Sequence, residues 1–173
     1  MPNWCLNSLT ISHDHIDQVD RFEDAYMRRQ LCETFLPEPK DDEGNPVVGA
    51  DYDEDGNFKM PDWYLWRTAN WGTKWDFGYD EDRGLQPTRV ENEVTVRFDT
   101  AWGPPLGLYE RLKVLGYTVT AYYFEPGMCF AGEWKDGEHD EWADDTSGFS
   151  DEVLEMFDVD SYYEDSGDIM IDM

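Results

Sequence analysis

In the stretch DYDEDGNFKMPD, Asp51, Asp53, Asp55 and Gly56 stand at positions one, three, five and six of a calcium-loop pattern, and Asp62 falls at position twelve. Three carboxylates on alternating residues can wrap one hard cation, and the glycine permits the sharp turn between them. Two features count against this. Position twelve carries Asp instead of the longer, bidentate Glu, and Pro61 occupies position eleven. In so acidic a chain the pattern also arises from composition alone. A second group of chemistry-bearing residues follows directly. WYLWRTANWGTKWD holds Trp63, Trp66, Trp71 and Trp75, four of the eight tryptophans, with Arg67, Asn70 and Lys74. Indoles at this density stack on bases or a nucleotide while Arg67 and Lys74 take phosphates and Asn70 reads an edge. The same rings also fill the space beside a small sheet, with Arg67 stacked over an indole or paired with Asp76. Packing is the main expectation for this segment; a protein-binding surface and a ligand pocket are the alternatives.

No arrangement names a reaction. His13 and His15 flank Asp14, His139 lies far away in an acidic stretch, and neither grouping has metal-ligand spacing. There is no glycine-rich phosphate loop and no nucleophile with an evident base. Carboxylate pairs occur everywhere and so discriminate nothing. Cys5, Cys32 and Cys129 are odd in number and widely spaced, as expected of reduced thiols. The expectation is a protein that is not an enzyme and has no cofactor beyond the calcium of the Asp51 loop.

Charge is the strongest compositional signal: 40 Asp and Glu oppose 13 Lys and Arg, a formal net charge of -27. From Ala131 onward, sixteen acidic residues face only Lys135. Such a surface repels nucleic acid and anionic membrane and attracts basic partners. Direct binding to nucleic-acid phosphates would need the opposite field. The candidate partner-binding carboxylates are Asp144, Asp145, Asp151, Glu152, Glu155, Asp158, Asp160, Glu164 and Asp165.

The elements that must carry these residues read as an α+β chain. SLTIS is a strand, and Ile16, Val19, Phe22 and Tyr26 recur at helical spacing after it. The segment from about 37 to 76 reads as an inserted surface loop leading into the Trp-rich residues. Val94, Val96 and Phe98 alternate as a strand, with a hairpin partner in the preceding residues. Pro104 and Pro105 open a helix bearing Leu108, Leu112 and Leu115, and two strands follow around the turn EPGM. The order is β-α-β-β-α-β, a ferredoxin-like antiparallel sheet with helices on one face. After Lys135 a loop leads to a helix with Phe149, Val153, Met156 and Phe157 on one stripe and acids elsewhere, then to a terminal edge strand, DIMIDM. Residues 1–135 form the ferredoxin-like domain and residues 136–173 an acidic extension packed on it. No apolar run reaches membrane-spanning length and the start has no signal-peptide pattern, so a cytoplasmic protein is expected.

Four motifs, MPNWCLN, WRTANWGTKWD, FDTAWGPP and YFEPGMCFAGEW, spread in order over roughly residues 1–134, resemble the YubB-like family of phage and plasmid proteins. That resemblance implies a ferredoxin-like domain and a mobile-element origin, with no biochemical function attached. The acidic loop around residues 41–55 and the long acidic end depart from the family pattern. Charge and resemblance together lead to the expectation of a phage accessory protein that inhibits a host protein. Its target would be a defence factor, nuclease or transcription factor bearing a basic, nucleic-acid-binding surface. A small-ligand or calcium-binding domain is the alternative, and a structural or dimeric module the third reading. The calcium reading makes its own demand: calcium raises the melting temperature in calorimetry, and substituting Asp51→Asn and Asp55→Asn abolishes the rise. An equal melting temperature with and without calcium would refute it.

Overall fold

The computed structural model describes residues 2–44, 54–57, 62–83 and 85–164. In chain order the elements are β1 (Trp4–Ser12), α1 (Ile16–Met27), α2 (Leu31–Phe35), α3 (Asp62–Asn70), β2 (Thr88–Val90), β3 (Glu93–Ala101) and α4 (Leu106–Val114). They continue as β4 (Thr118–Glu125), β5 (Phe130–Lys135), β6 (Glu138–Ala143), α5 (Asp151–Met156) and α6 (Ser161–Glu164). All six strands form one antiparallel sheet in the order β2-β3-β1-β4-β5-β6. The first four reproduce the ferredoxin-like arrangement, and the hairpin partners β5 and β6 widen the sheet beyond β4.

Period-two alternation sends Leu9 and Ile11 of β1, Val94, Val96 and Phe98 of β3, and Val119 and Ala121 of β4 to one side. There they meet Val19, Phe22 and Tyr26 of α1, Leu31 and Phe35 of α2, and Leu108 and Leu112 of α4 in the main core. Ile16, on the helical stripe by spacing, is instead exposed at the first turn of α1. The one buried polar side chain of β1 pointing to this core, Asn7, donates to Cys5 O at 3.0 Å and Thr100 Oγ1 at 2.9 Å, and accepts from Tyr109. Its hydrogen bonds offset the cost of burying an amide. The turn between β4 and β5 is closed by Glu125, a buried carboxylate that accepts from Gly127 N and Met128 N.

Two segments differ from the sequence reading. The start of the Trp-rich segment is helix α3 and not loop, because Trp63, Trp66, Arg67 and Asn70 share one helical face. Its end docks on α4 where Gly107 lies so close that a Cβ there would sit 1.7 Å from Asn70 O. The residues after Lys135 are not a linker but β6, turned back by Asp136 and Gly137, both with positive φ.

The acidic extension covers the opposite side of the sheet. Phe124 of β4 and Ala131 of β5 pack there with Phe149, Val153, Phe157 and Val159, and Leu6, Tyr122 and Trp142 flank them. This second core requires that β4 bury both of its faces. Phe124→Ala should therefore cost about 3–5 kcal/mol in urea unfolding, the range for a fully buried phenylalanine. A loss below about 1 kcal/mol would show that the second core is not formed.

Candidate functional site

The acidic residues are carried by short elements with an apolar underside. Ser150 Oγ accepts from Val153 N at 3.3 Å to start α5, and Asp151 and Glu152 sit in its first turn, where the helix dipole favours anions. At the other end Arg97 reaches from β3 to donate to Met156 O at 3.2 Å, its guanidinium 5.7 Å from the centroid of the Phe157 ring. Asp145 accepts from Ser147 N and Ser147 Oγ, and these bonds hold its carboxyl below the usual range. Tyr163 donates to Pro126 O at 3.1 Å and ties α6 to the β4–β5 turn.

With Phe149, Val153, Phe157 and Val159 turned inward, Asp144, Asp145, Asp151, Glu152, Glu155, Asp158, Asp160 and Glu164 are all exposed. Asp165 and the terminal DIMIDM lie outside the described residues. Sequence reasoning missed the carboxylates of β6, where Glu138, Asp140 and Glu141 are exposed too. The register places Glu138 and Asp140 opposite Lys135 and Glu133, on the face that α5 covers. Lys135, the one cation of this quarter, lies 3.7 Å from Glu133 and over the Tyr122 ring. Behind β6, Tyr123 donates to Glu141 Oε2 at 2.5 Å and contacts His139 Nε2 at 2.6 Å. Its ring crosses Gly132, where a Cβ would stand 2.3 Å from the phenol oxygen. Burial and the Glu141 carboxylate push the Tyr123 pKa up, so the phenol stays protonated and β6 is clamped to β4.

The Trp-rich segment divides in two. Arg67 is stacked between Trp63 and Trp71, 5.1 and 5.0 Å from the ring centroids, and pairs with the buried Glu38 at 2.9 Å, not with Asp76. Trp71 donates to Leu36 O at 2.7 Å, Trp66 meets it edge to face, and Asn70 donates to Trp66 O. These groups are engaged inside the protein. Asp76 instead caps α2, accepting from Cys32 N at 2.8 Å and Glu33 N at 2.9 Å. Burial pushes its pKa up, against the three N–H donors that favour the carboxylate.

The other half faces solvent. Lys74 Nζ sits 4.3 and 4.1 Å from the centroids of the Trp75 and Trp102 rings and makes no ion pair among the described residues. Trp4, Trp75 and Trp102 are 39%, 40% and 46% exposed. Trp4 and Trp75 flank a cleft of about 290 Å³ whose other walls include Phe77, Phe98, Arg29 and Arg97. The β1–β3 pairing sets Trp4 opposite Ala101 and so beside Trp102, and the two meet the Trp-rich segment through the Trp4–Trp75 and Tyr64–Trp102 ring contacts.

Of the calcium-loop residues, Asp51 and Asp53 lie outside the described residues, Asp55 lies in a turn, and Asp62 begins α3. Among the described residues no cluster of three or more His, Cys, Asp or Glu could hold a metal. Likewise, no helix there is long and apolar enough to cross a membrane.

No family model matches the chain, and no curated protein matches it. The crystal structure of protein api92 from Yersinia pseudotuberculosis, of the family DUF1281, is similar over 86% of this chain and 100% of its own. It shares 10% identity with a TM-score of 0.42, a likeness that assigns neither family nor function.

The Asp76 cap links the Trp-rich segment to α2. Asp76→Ala should cost about 2 kcal/mol in denaturant unfolding, because two N–H groups at the start of α2 lose a charged acceptor. An unchanged midpoint would show that the cap carries no stability.

Proposed function

We propose that this chain is an accessory protein of a mobile element that occupies a basic surface on a host protein, in competition with nucleic acid. The observation that carries the reading is the acidic extension: α5 packs on the sheet through Val153, β6 forms the sheet's edge, and the carboxylates of both are exposed, with Lys135 the one lysine of this quarter. DNA carries one charge per about 1.7 Å of helix axis, so a rival for its site needs densely spaced carboxylates on a support that keeps them apart from their own counter-charges. A disordered acidic tail would lose more entropy on binding than this docked one. The resemblance of the four motifs to phage and plasmid proteins supports the mobile-element origin.

A second reading is a small-ligand site at the aromatic cleft, favoured by the exposed Trp4 and Trp75 on its walls and by Lys74 over the Trp75 ring. The acidic reading draws on a larger, more uniform surface and on the field of the whole chain, which opposes anionic ligands at the cleft.

The test uses a host DNA-binding protein captured on the full-length chain and then purified. Replacing Asp151→Asn, Glu152→Gln, Glu155→Gln and Asp158→Asn together should weaken its binding at least ~10-fold at low salt and flatten the salt dependence, and duplex DNA should compete with the unaltered chain. Unchanged affinity in the fourfold variant, with no competition by DNA, would reject the reading.

A further inference from the structure

The sheet has two edges, and they are built differently. On one side β2 is only three residues long. Beyond it the edge of β3 is already used: Tyr26 donates to Arg97 O at 2.6 Å and Thr73 to Ala101 O at 3.2 Å. On the other side β6 is the last strand among the described residues, six residues long, with every residue exposed but the half-buried Trp142.

The turn fixes which backbone groups of β6 remain available. Lys135 and Glu138 are partners across a two-residue turn, and Asp136 and Gly137 both have positive φ, at 49° and 102°. A turn of this kind is closed by a pair that exchanges both backbone hydrogen bonds, and such pairs then alternate along the ladder. Glu138, Asp140 and Trp142 therefore direct their N–H and C=O toward β5. His139, Glu141 and Ala143 direct theirs to the open edge. The three lie at intervals of about 6.8 Å, the repeat that an added strand would match.

Charge selects what can pair there. Asp136, Glu138, Asp140, Glu141, Asp144 and Asp145 lie along or beside the edge. A second copy of the chain would bring like charges opposite one another, which disfavours pairing, whereas a basic strand would meet opposite charges across the ladder. The clamp of Tyr123 on Glu141 and the packing of the Trp142 ring against Phe149 hold β6 extended with no further strand beside it among the described residues.

We infer that β6 is a docking edge to which an extended, lysine- or arginine-rich segment of the partner protein adds as a seventh strand. Backbone hydrogen bonds to His139, Glu141 and Ala143 would set the register, and the carboxylates of β6 would set the preference for basic side chains. This inference rests on the proposed binding of a basic partner and specifies how that partner is held.

The test uses the full-length chain and a capped ten-residue peptide of alternating lysine and threonine. A second peptide of the same sequence is N-methylated at two adjacent central residues, which keeps the charge and blocks hydrogen bonding on both of its edges. The expected result is that the first peptide binds, slows hydrogen exchange at the amides of His139, Glu141 and Ala143, and loses about 10-fold in affinity on methylation, the equivalent of about 1.4 kcal/mol. Equal binding of both peptides without protection of those amides would overturn strand addition and leave the acidic-surface reading standing. Binding of neither peptide at low salt would overturn both.

Discussion

Phe124 holds the C-terminal quarter of this protein to the rest. Its ring lies 6.0 Å from Phe149, 6.3 Å from Phe157, 5.3 Å from Tyr162 and 6.3 Å from Tyr163, four aromatic side chains contributed by the residues after β6. The acids among those residues repel one another, and a chain segment of that charge would stay solvated without an apolar anchor. Burial of these aromatic rings supplies the opposing free energy. The carboxylates are thereby fixed on one side of the sheet, and a fixed array meets a partner at lower entropic cost than a mobile one.

That anchor requires a strand buried on both faces, and β4 meets the requirement. Val119 and Ala121 enter the main core, while Tyr122 and Phe124 turn the other way. Tyr123, on the main-core side, reaches across Gly132 to hold β6. One strand thus positions the α1–α4 layer, the acidic helices and the edge strand. Arg97 makes a further connection, since it lines the aromatic cleft and also holds the end of α5 through Met156 O. The cleft and the acidic surface share that one side chain.

Much of the architecture was legible in the sequence because it follows from periodicity. Leu9 with Ile11, and Val94 with Val96 and Phe98, alternate as half-buried strands must, and Leu108 and Leu112 fall on one helical face. β6 was obscured because GEHDEWADD has no apolar alternation: an edge strand in solvent does not need one. Its signal was the Asp136-Gly137 pair between two short runs, which favours a two-residue hairpin. Helix α3 was hidden by its tryptophans, although positions 63, 66, 67 and 70 have helical spacing. The partners of Arg67 and Asp76 were beyond reach, because Glu38 and the start of α2 come to them only through tertiary packing. The exposure of the eight described carboxylates was foreseeable from the stripe of Val153 and Phe157, but the face of the sheet on which they lie was not.

The central claim is that the acidic residues sit on a folded support, and hydrogen exchange of the intact protein tests it most directly. The amides of Leu154, Phe157 and Val159 donate within the extension to Ser150, Val153 and Leu154 carbonyls. If the extension is docked, these amides exchange slowly, with protection approaching that of β5, and added salt leaves the pattern unchanged. Exchange at the rate of an unstructured peptide while β5 stays protected would mean that the acids form a loose tail, and the account of a fixed acidic surface would fall.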